Sequence, residues 1–217
     1  MTKNILVVEK ILSANDRIAV ENRAIFDAAG VKALNFMASP GAGKTSLIEQ
    51  TVKRLLPVIQ LTVIDGDIAT NFDAHRAEEA GAIAVQINTG GECHLDAVMV
   101  NTALKQIALE GSRLVIIENV GNLVCPASFQ LGTHKSVLIA SVPEGDDKPY
   151  KYPAMYRGVD ALVINKIDLL PYVPFDMDFF RKGVEILNPG LLTFPLSCKT
   201  GAGIDSWIEW IKGEINS

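Results

Sequence analysis

Several kinds of residue are scarce in this chain, and each scarcity excludes a class of protein. Three cysteines among 217 residues are too few for the disulfide framework of a small secreted domain. The formal net charge is −5 and no basic stripe is present, so we expect no nucleic-acid partner. No apolar run approaches the roughly 18 residues of a membrane span, and none forms a signal-peptide core. We therefore expect a cytoplasmic protein without a membrane partner.

What the chain does contain is typical of a globular protein, with 48% hydrophobic and 21% charged residues. Apolar runs alternate with longer helix-like segments, which predicts an α/β fold with a mostly parallel central sheet of about seven strands flanked by helices. The predicted strands are Ala33–Met37, Ile59–Ile64, Ala82–Ile87, Leu114–Ile117, Val137–Val142, Ala161–Ile164 and Leu192–Leu196. The predicted helices are Lys10–Ala29, Lys44–Leu56, Asp73–Glu79, Leu95–Leu109, Asp176–Leu187 and Asp205–Ile215.

The first predicted helix precedes the first strand, so it is an addition to the core of the fold. We expect a single domain over residues 1–217, with residues 1–31 as its N-terminal helical extension. An apolar stripe is expected to dock this helix. The stripe consists of Ile11, Ile18, Ile25 and Phe26. Three glycines are expected at helix C-termini. They are Gly30, Gly81 and Gly111.

A phosphate-binding loop is predicted at residues 38–45, ASPGAGKT, where Ala38 replaces the first glycine of the pattern. The glycines let backbone N–H groups converge on phosphates, and the following helix N-terminus adds a favourable dipole. Lys44 is expected to reach the β- and γ-phosphates, and Thr45 to bind Mg²⁺. A glycine-rich turn without a ligand is the alternative, and the strand before and helix after the loop disfavour it. The residues predicted to bind the nucleotide here are Gly41, Ala42, Gly43, Lys44, Thr45 and Ser46.

A second motif indicates guanine as the base. The sequence NKID at residues 165–168 follows an apolar run and matches the guanine-recognition pattern NKxD. The Asp168 carboxylate would accept hydrogen bonds from N1–H and the exocyclic amine of guanine, which adenine does not offer. The later loop SCK, residues 197–199, resembles the SAK loop of GTPases, in which the central backbone N–H contacts guanine O6. Cys198 takes that central place, and we expect its side chain to lie beside the base rather than to bind a metal. The predicted base-binding residues are Asn165, Lys166, Asp168, Ser197, Cys198 and Lys199.

Acidic residues between these motifs are candidates for Mg²⁺ binding and hydrolysis. Any acid of Asp65-Gly66-Asp67, or Asp73, could serve, and we select Asp67 and Asp73, although acids are also common in turns. Glu118 ends a predicted strand, where NTPases place an acid near Mg²⁺. The predicted magnesium ligands are Thr45, Asp67, Asp73 and Glu118. The predicted catalytic residues are Lys44, Thr45, Asp67, Glu118 and Gly121, whose N–H would meet the γ-phosphate. No water-positioning glutamine is evident, so slow hydrolysis is expected.

Three residues form a candidate site for a softer metal. Cys93 and His94 lie between a strand and a helix, and Cys125 lies four residues after Gly121. Thiolate and imidazole ligands suit Zn²⁺ or Ni²⁺. Three ligands leave a four-coordinate metal incomplete, so a water or the same site on a second subunit would complete it. From spacing alone we favour buried thiols and a satisfied histidine; His134 is a weak candidate for a place beside the ligands.

Seven segments together resemble the HypB family, GTPases that assist nickel insertion into nickel–iron hydrogenase. They are GAGKT, DGDIAT, QINTGGECHLDAVMV, ENVGNLVCPASF, EGDDKPYKYP, NKIDLLP and SCKTGAG. They run in order along nearly the whole chain, and TGGECHLDA and ENVGNLVCPA are absent from general GTPases. The resemblance implies a SIMIBI-class P-loop fold and hydrolysis of GTP to GDP and phosphate. It also implies a homodimer that forms with GTP.

The resemblance reverses the preference against a metal site. It implies that Cys93, His94 and Cys125 of each subunit bind nickel or zinc at the dimer interface. The implied cofactors are GTP or GDP, Mg²⁺, and Ni²⁺ or Zn²⁺. The implied partners are a HypA-like nickel/zinc accessory protein and the hydrogenase large subunit. Some members carry an N-terminal CxxCGC motif or a His-rich run; neither appears in this sequence, so nickel storage is not expected.

Other functions remain open at this point. A urease-accessory nickel GTPase carries a Cys-Pro-His motif, whereas Pro126 is followed here by Ala127. A P-loop small-molecule kinase would prefer ATP, and a structural zinc protein would hold its metal equally in the GDP and GTP states. Because nucleotide sensor and metal ligand are neighbours, we expect the two sites to be coupled. Lys148 is predicted to bridge to the other subunit or its nucleotide, and a solvated loop charge explains it equally well.

Overall fold

The computed structural model describes residues 7–67 and 72–217. In that part of the chain, seven strands form one sheet in which every neighbouring pair is parallel. The strands are β1 (Lys32–Ala38), β2 (Gln60–Asp67), β3 (Ile83–Asn88), β4 (Ser112–Glu118), β5 (Lys135–Ser141), β6 (Ala161–Asn165) and β7 (Leu192–Pro195). Their order across the sheet is β3-β2-β4-β1-β5-β6-β7. The prediction of a parallel α/β fold is confirmed, with no antiparallel pair among the described strands.

Helices cover the sheet. They are α1 (Val7–Ala29), α2 (Lys44–Leu55), α3 (Phe72–Ala80), α4 (Ala97–Leu104), α5 (Lys148–Lys151), α6 (Pro153–Arg157), α7 (Met177–Leu187) and α8 (Ile204–Asn216). Among the described residues, no helix is both long and apolar enough to cross a membrane.

Both faces of the sheet are buried, which explains why its strands are almost continuously apolar. On one face Phe36 packs with Trp207 of α8, with ring centroids 5.7 Å apart, in a cluster that includes α2. On the other face Phe26 of α1 lies in a cluster with α4, and Phe180 of α7 lies in a third cluster. Because strand side chains alternate between faces, Leu34, Phe36 and Ala38 of β1 join the first cluster, whereas Ala33 and Met37 join the clusters on the other face.

Each predicted strand is present, with no end displaced by more than three residues. The largest error concerns the helix predicted over Leu95–Leu109, because α4 is only Ala97–Leu104. The Asp96 carboxylate accepts a hydrogen bond from Met99 N (2.8 Å) and so fixes its start. Gly111 therefore follows a loop rather than a helix, and that prediction is wrong. Gly30 and Gly81 do follow helices, with φ of 65° and 107°. The short α5 and α6, which begin beside or at prolines, were not predicted, since four or five residues carry no periodicity.

The docking face of α1 differs from the predicted apolar stripe. Ile11 is 53% exposed, and Ile18 and Ile25 are only half-buried. Between residues 11 and 29 of this helix, the buried residues are Asn15, Ala19, Asn22 and Phe26. They lie on one face at helical spacing, and two of the four are amides. The expected stripe was therefore right for Phe26 and wrong for Ile11, because apolarity alone was used to choose the face.

Candidate functional site

The predicted phosphate loop joins the carboxyl end of β1 to the N-terminus of α2. Gly41 and Gly43 have φ of 76° and 104°, in the region that favours glycine. A Cβ on Gly43 would lie 2.3 Å from Asn165 Nδ2, so this position has no room for a side chain. Ala38 is a fully buried β1 residue and has no positive φ, which explains why alanine is accepted in place of the first glycine. The loop borders a cavity of about 590 Å³.

Three carboxyl groups meet in this cavity beside the loop. One oxygen each of Asp65, Asp73 and Glu118 lies within 4.8 Å of the others, and Thr45 Oγ1 donates a hydrogen bond to Glu118 Oε1 (2.7 Å). Burial raises the pKa of Glu118 to about 8, and burial together with the charges of Asp73 and Asp67 raises the pKa of Asp65 to about 7. Asp65 Oδ2 is buried without a hydrogen-bond partner. Carboxylate and hydroxyl oxygens are the ligands that Mg²⁺ prefers. A bound divalent cation would also offset the repulsion between these neighbouring negative charges.

Asp65 is the acid that we did not select from the sequence. Its place could have been found from strand pairing, because Asp65 lies opposite Glu118 in the register of β2 and β4. Asp67 lines the same cavity but is outside the group of three. Asp73 receives a hydrogen bond from Arg76 Nη1 (3.3 Å), and Arg76 was not predicted as a site residue. The same guanidinium also binds Glu49 (2.9 Å), so it ties α3 to α2.

Five of the six predicted base-binding residues line a second cavity of about 390 Å³, and the sixth, Ser197, is fully buried behind it. Ser197 Oγ donates to Asp168 Oδ1 (2.6 Å), and Asn165 Nδ2 donates to Ala42 O (3.0 Å). Lys166, with φ of 62°, donates from Nζ to Gly41 O (2.6 Å). These bonds join the NKID and SCK loops to each other and to the phosphate loop.

Cys198 borders the second cavity, as expected, together with Lys199. Burial raises the pKa of its thiol to about 11, and Cys198 lies outside the group of cysteine and histidine side chains that converge elsewhere. Its backbone N–H, which we expected to face guanine O6, donates to Asn165 Oδ1 (3.2 Å). A base in this cavity would therefore share or replace that hydrogen bond.

The predicted soft-metal ligands also converge. Cys93 Sγ lies 2.9 Å from Cys125 Sγ and 3.7 Å from His94 Nδ1, and the three potential ligand atoms fall within 4.8 Å of one another. All three residues are half-buried. The hydrogen bond with Cys125 raises the pKa of the Cys93 thiol. The Phe129 ring packs against the His94 ring, with centroids 3.9 Å apart. Two sulfurs and one ring nitrogen form a donor set that fits Ni²⁺ or Zn²⁺.

Two asparagines connect this thiol site to the phosphate loop. Asn122 N donates to Ala38 O (2.8 Å), while its side chain donates to Cys93 O (3.2 Å). Asn119 N donates to Phe36 O (3.0 Å), and its side-chain oxygen accepts from Leu95 N (2.9 Å). Gly121 lies between them and lines the phosphate cavity. The segment from Asn119 to Asn122 is thus bonded to β1 and its end on one side and to the residues around His94 on the other.

The remaining histidine candidate does not belong to either site. His134 Nδ1 accepts from Ala33 N (2.9 Å), and its Nε2 lies 2.8 Å from Asp27 Oδ1. Both contacts are at the amino ends of β1 and β5, whereas the predicted metal ligands follow the carboxyl ends of β3 and β4. The suggestion that His134 lies beside the predicted metal ligands is therefore wrong. Lys148 begins α5, with Nζ 5.3 Å from the Tyr152 ring centroid, and its role in a dimer stays a prediction.

A glycine-rich phosphate loop, a base loop and buried carboxylates at the carboxyl edge of a parallel sheet define a P-loop nucleotide-binding protein. Comparison with known proteins gives the family. Residues 33–194 match the family model described as CobW/HypB/UreG, nucleotide-binding domain. The chain belongs to this family, and its resemblance to the HypB hydrogenase maturation factors is confirmed.

The similarity to individual HypB proteins extends over nearly the whole chain. Over 211 residues it is 48% identical to hydrogenase maturation factor HypB of Rhizobium leguminosarum bv. viciae, covering 97% of this chain and 71% of that protein. The structure of HypB from Helicobacter pylori in complex with nickel matches with a TM-score of 0.89 and 37% identity, covering 94% of this chain and 95% of that one. HypB from Archaeoglobus fulgidus matches with a TM-score of 0.87 and 37% identity, covering 94% and 99%.

Proposed function

We propose that this protein is a cytoplasmic, GTP-hydrolysing nickel metallochaperone that assists nickel insertion into nickel–iron hydrogenase. Its relatives are named hydrogenase maturation factors, and one related structure is a complex with nickel. One structural observation supports the proposal. The segment from Asn119 to Asn122 is hydrogen-bonded on one side to β1 and the start of the phosphate loop and on the other side to the residues around His94 in the Cys93–His94–Cys125 cluster.

In this proposal the nucleotide cavity binds and hydrolyses GTP. Lys44 contacts the β- and γ-phosphates, and Asp168 selects guanine through the donors that adenine lacks. Mg²⁺ at the cavity would neutralise the charge that develops on the phosphates, and Thr45, Asp65, Asp73 and Glu118 would hold it directly or through water. Asp67 at the cavity wall is the remaining candidate to orient the attacking water. We expect hydrolysis to be slow, because the described residues that line the cavity include no glutamine to orient the attacking water.

The thiol site binds nickel, or zinc in its place, as the cargo. Cys93, His94 and Cys125 supply three ligands, and the same residues of a second subunit complete the site in a GTP-bound homodimer. The Gly121 N–H contacts the γ-phosphate. When that phosphate leaves, Gly121 shifts, and the hydrogen bonds of Asn119 and Asn122 pass the displacement to the segments that carry the metal ligands. The released metal goes to a HypA-like accessory protein or to the hydrogenase large subunit.

The proposal is tested by titrating nickel into the GDP form and into the form with a non-hydrolysable GTP analogue. Oligomeric state is measured on the same samples. We expect a dimer with the GTP analogue and a nickel affinity that differs between the two forms. Equal nickel affinity in both forms would instead favour a structural metal site.

The same protein distinguishes the kinase alternative by nucleotide competition. GTP should displace bound GDP, and ATP should not, because Asp168 would lose its two partners at a cost of roughly 1–3 kcal/mol or more. Preference for ATP would contradict the GTPase assignment while leaving the phosphate loop in place.

A further inference from the structure

We propose that α1 is the positioning element of the thiol site. Asn15 and Asn22 each bridge the backbone that follows Cys93 and His94 to the backbone that follows Cys125. Two amide side chains on one helix thereby set the separation of the metal ligands. This inference rests on the proposed metal site.

Asn15 forms the first bridge. Its Oδ1 accepts from Ala97 N (2.8 Å), and its Nδ2 donates to Gln130 O (2.8 Å). Ala97 is the first residue of α4, three residues after His94, and Gln130 lies five residues after Cys125. One buried amide therefore contacts both segments that carry ligands.

Asn22 repeats this arrangement two helical turns later on the same face of α1. Its Nδ2 donates to Ala97 O (2.9 Å) and to Leu131 O (3.1 Å), and its Oδ1 accepts from Asn101 Nδ2 (2.8 Å). Asn22 is fully buried, and each of its polar atoms is hydrogen-bonded. Burying an amide costs free energy unless it is hydrogen-bonded, and an apolar side chain would be sufficient to dock the helix. We therefore infer that these two asparagines hold particular backbone groups in position.

Only a few residues, held by hydrogen bonds and ring packing, separate the backbone groups bonded to Asn15 and Asn22 from the proposed metal ligands. On one side, the Asp96 carboxylate caps α4 immediately before Ala97, and Leu95 N is held by Asn119 Oδ1. On the other side, Phe129 precedes Gln130 and packs on the His94 ring. A displacement of α1 therefore reaches both ligand segments through stretches of only a few residues. It does not pass through the phosphate loop.

Arg23 of the same helix provides a matched control. Its guanidinium donates to Gly132 O (2.8 Å) and Thr133 O, which belong to only one of the two chain segments. Arg23→Met thus weakens the docking of α1 without removing a bridge between the ligand segments. Asn15→Asp keeps the acceptor for Ala97 N and loses the donor to Gln130 O, and Asn22→Leu removes the second bridge at similar volume.

The experiment measures nickel affinity of the full chain by competition with a coloured chelator, together with the thiolate-to-nickel absorption band, GDP affinity and thermal unfolding. We expect Asn15→Asp and Asn22→Leu to weaken nickel binding about three- to tenfold, below or at the lower end of the roughly 10–100-fold typical of groups bonded directly to ligands. Their absorption bands should shift, and GDP affinity should match wild type. Arg23→Met should lose thermal stability with unchanged nickel affinity and absorption.

Two results would overturn the inference. One is wild-type nickel affinity and absorption in folded Asn15→Asp, which carries the test alone if Asn22→Leu does not fold. The other is an Arg23→Met variant that loses as much nickel affinity as the asparagine variants, since general docking would then explain the effect. Cys93→Ser is measured in parallel. Unchanged nickel binding in Cys93→Ser would refute the proposed metal site itself.

Discussion

The nucleotide cavity and the thiol site lie next to each other but are built differently. Two of the three acids of the cavity, Asp65 and Glu118, are buried on the central strands β2 and β4 and are only 1% and 3% exposed; the third, Asp73, lies on α3. The thiol site is half-buried, and its ligands come from the loop after β3 and from the 3₁₀ turn Cys125–Ser128. The cavity is therefore fixed by the sheet, whereas the geometry of the thiol site depends on hydrogen bonds from neighbouring segments.

This difference leads us to expect that a mutation in one site leaves ligand affinity at the other site unchanged, whereas ligands bound at the two sites affect each other. Changes around the thiol site should leave nucleotide affinity intact in the metal-free protein, because the sheet holds the cavity. Coupling between bound ligands is reciprocal, so GTP must change nickel affinity by the same factor by which nickel changes GTP affinity. Four variants test this comparison, from the largest expected effect to the smallest.

Lys44→Ala should break the nucleotide side alone. Removing a cation that contacts phosphates in a buried cavity costs about 3 kcal/mol, which corresponds to a loss of GDP and GTP affinity of about 100-fold. Nickel affinity of the nucleotide-free protein should not change. Nucleotide titration and nickel titration measure the two effects, with the exposed Lys53→Ala on the same helix as control. A variant that still binds GDP with wild-type affinity would contradict the assigned role of Lys44.

Cys125→Ser should break the metal side alone. Loss of one thiolate from three ligands should weaken nickel binding by more than about tenfold, since changes around ligands already cost roughly 10–100-fold. GDP affinity in the absence of metal should equal that of wild type. Cys198→Ser is the matched control and should keep nickel affinity, because its thiol lies at the base cavity. Weaker nickel binding in Cys198→Ser would mean that the metal site has been placed wrongly.

Gly121→Ala should weaken the connection between the sites. An added Cβ would lie 3.0 Å from Pro40 Cα and N, which forces the segment away from the phosphate loop. We expect the nickel-affinity ratio between GTP-analogue and GDP forms to fall about threefold or more, out of a typical coupling of about 5–150-fold. Gly213→Ala on α8, where an added Cβ meets no atom within 4 Å, is the control. An unchanged ratio in Gly121→Ala would show that the coupling takes another route.

His134→Gln should affect neither site and should change only the pH dependence of stability. Burial lowers the pKa of His134, Arg23 and Lys32 add to this effect, and Asp27 opposes it. Below about pH 6.5, His134 is therefore protonated more readily in the unfolded chain than in the folded protein. The free energy of unfolding consequently falls as the pH falls. Glutamine should flatten this slope by less than the roughly 1.4 kcal/mol per pH unit of one proton. Denaturant unfolding at pH 5, 6 and 7 measures it; an identical slope would contradict the role of His134.

Contiguous features could be predicted from the sequence. The phosphate loop, NKID and the SCK loop each consist of a few consecutive residues. The local sequence pattern was therefore sufficient to place each motif at the correct strand end. The strands were predictable because two-sided burial leaves continuous apolar runs. The limits of α4 were not, since its start depends on the cap by Asp96 and its apolar pattern continues beyond Leu104.

Features that join distant parts of the chain could not be predicted in this way. Asp65 was not selected because its proximity to Glu118 depends on which strands are neighbours. The docking face of α1 was assigned to isoleucines, whereas its contacts include Asn15, which bonds to groups 82 and 115 residues away. No local property of an asparagine shows which distant backbone groups it will meet.

By itself, the sequence determined a parallel α/β fold, a guanine-type P-loop site and a set of possible soft-metal ligands. Only the tertiary structure decided that Asp65 completes the acidic group, that His134 belongs to neither site, and that α1 bridges the two ligand segments. The physical reason is that the shape of a short motif depends on the backbone conformation of a few consecutive residues. Buried charges and amides take their partners from whatever strands and helices the packing of the core brings beside them.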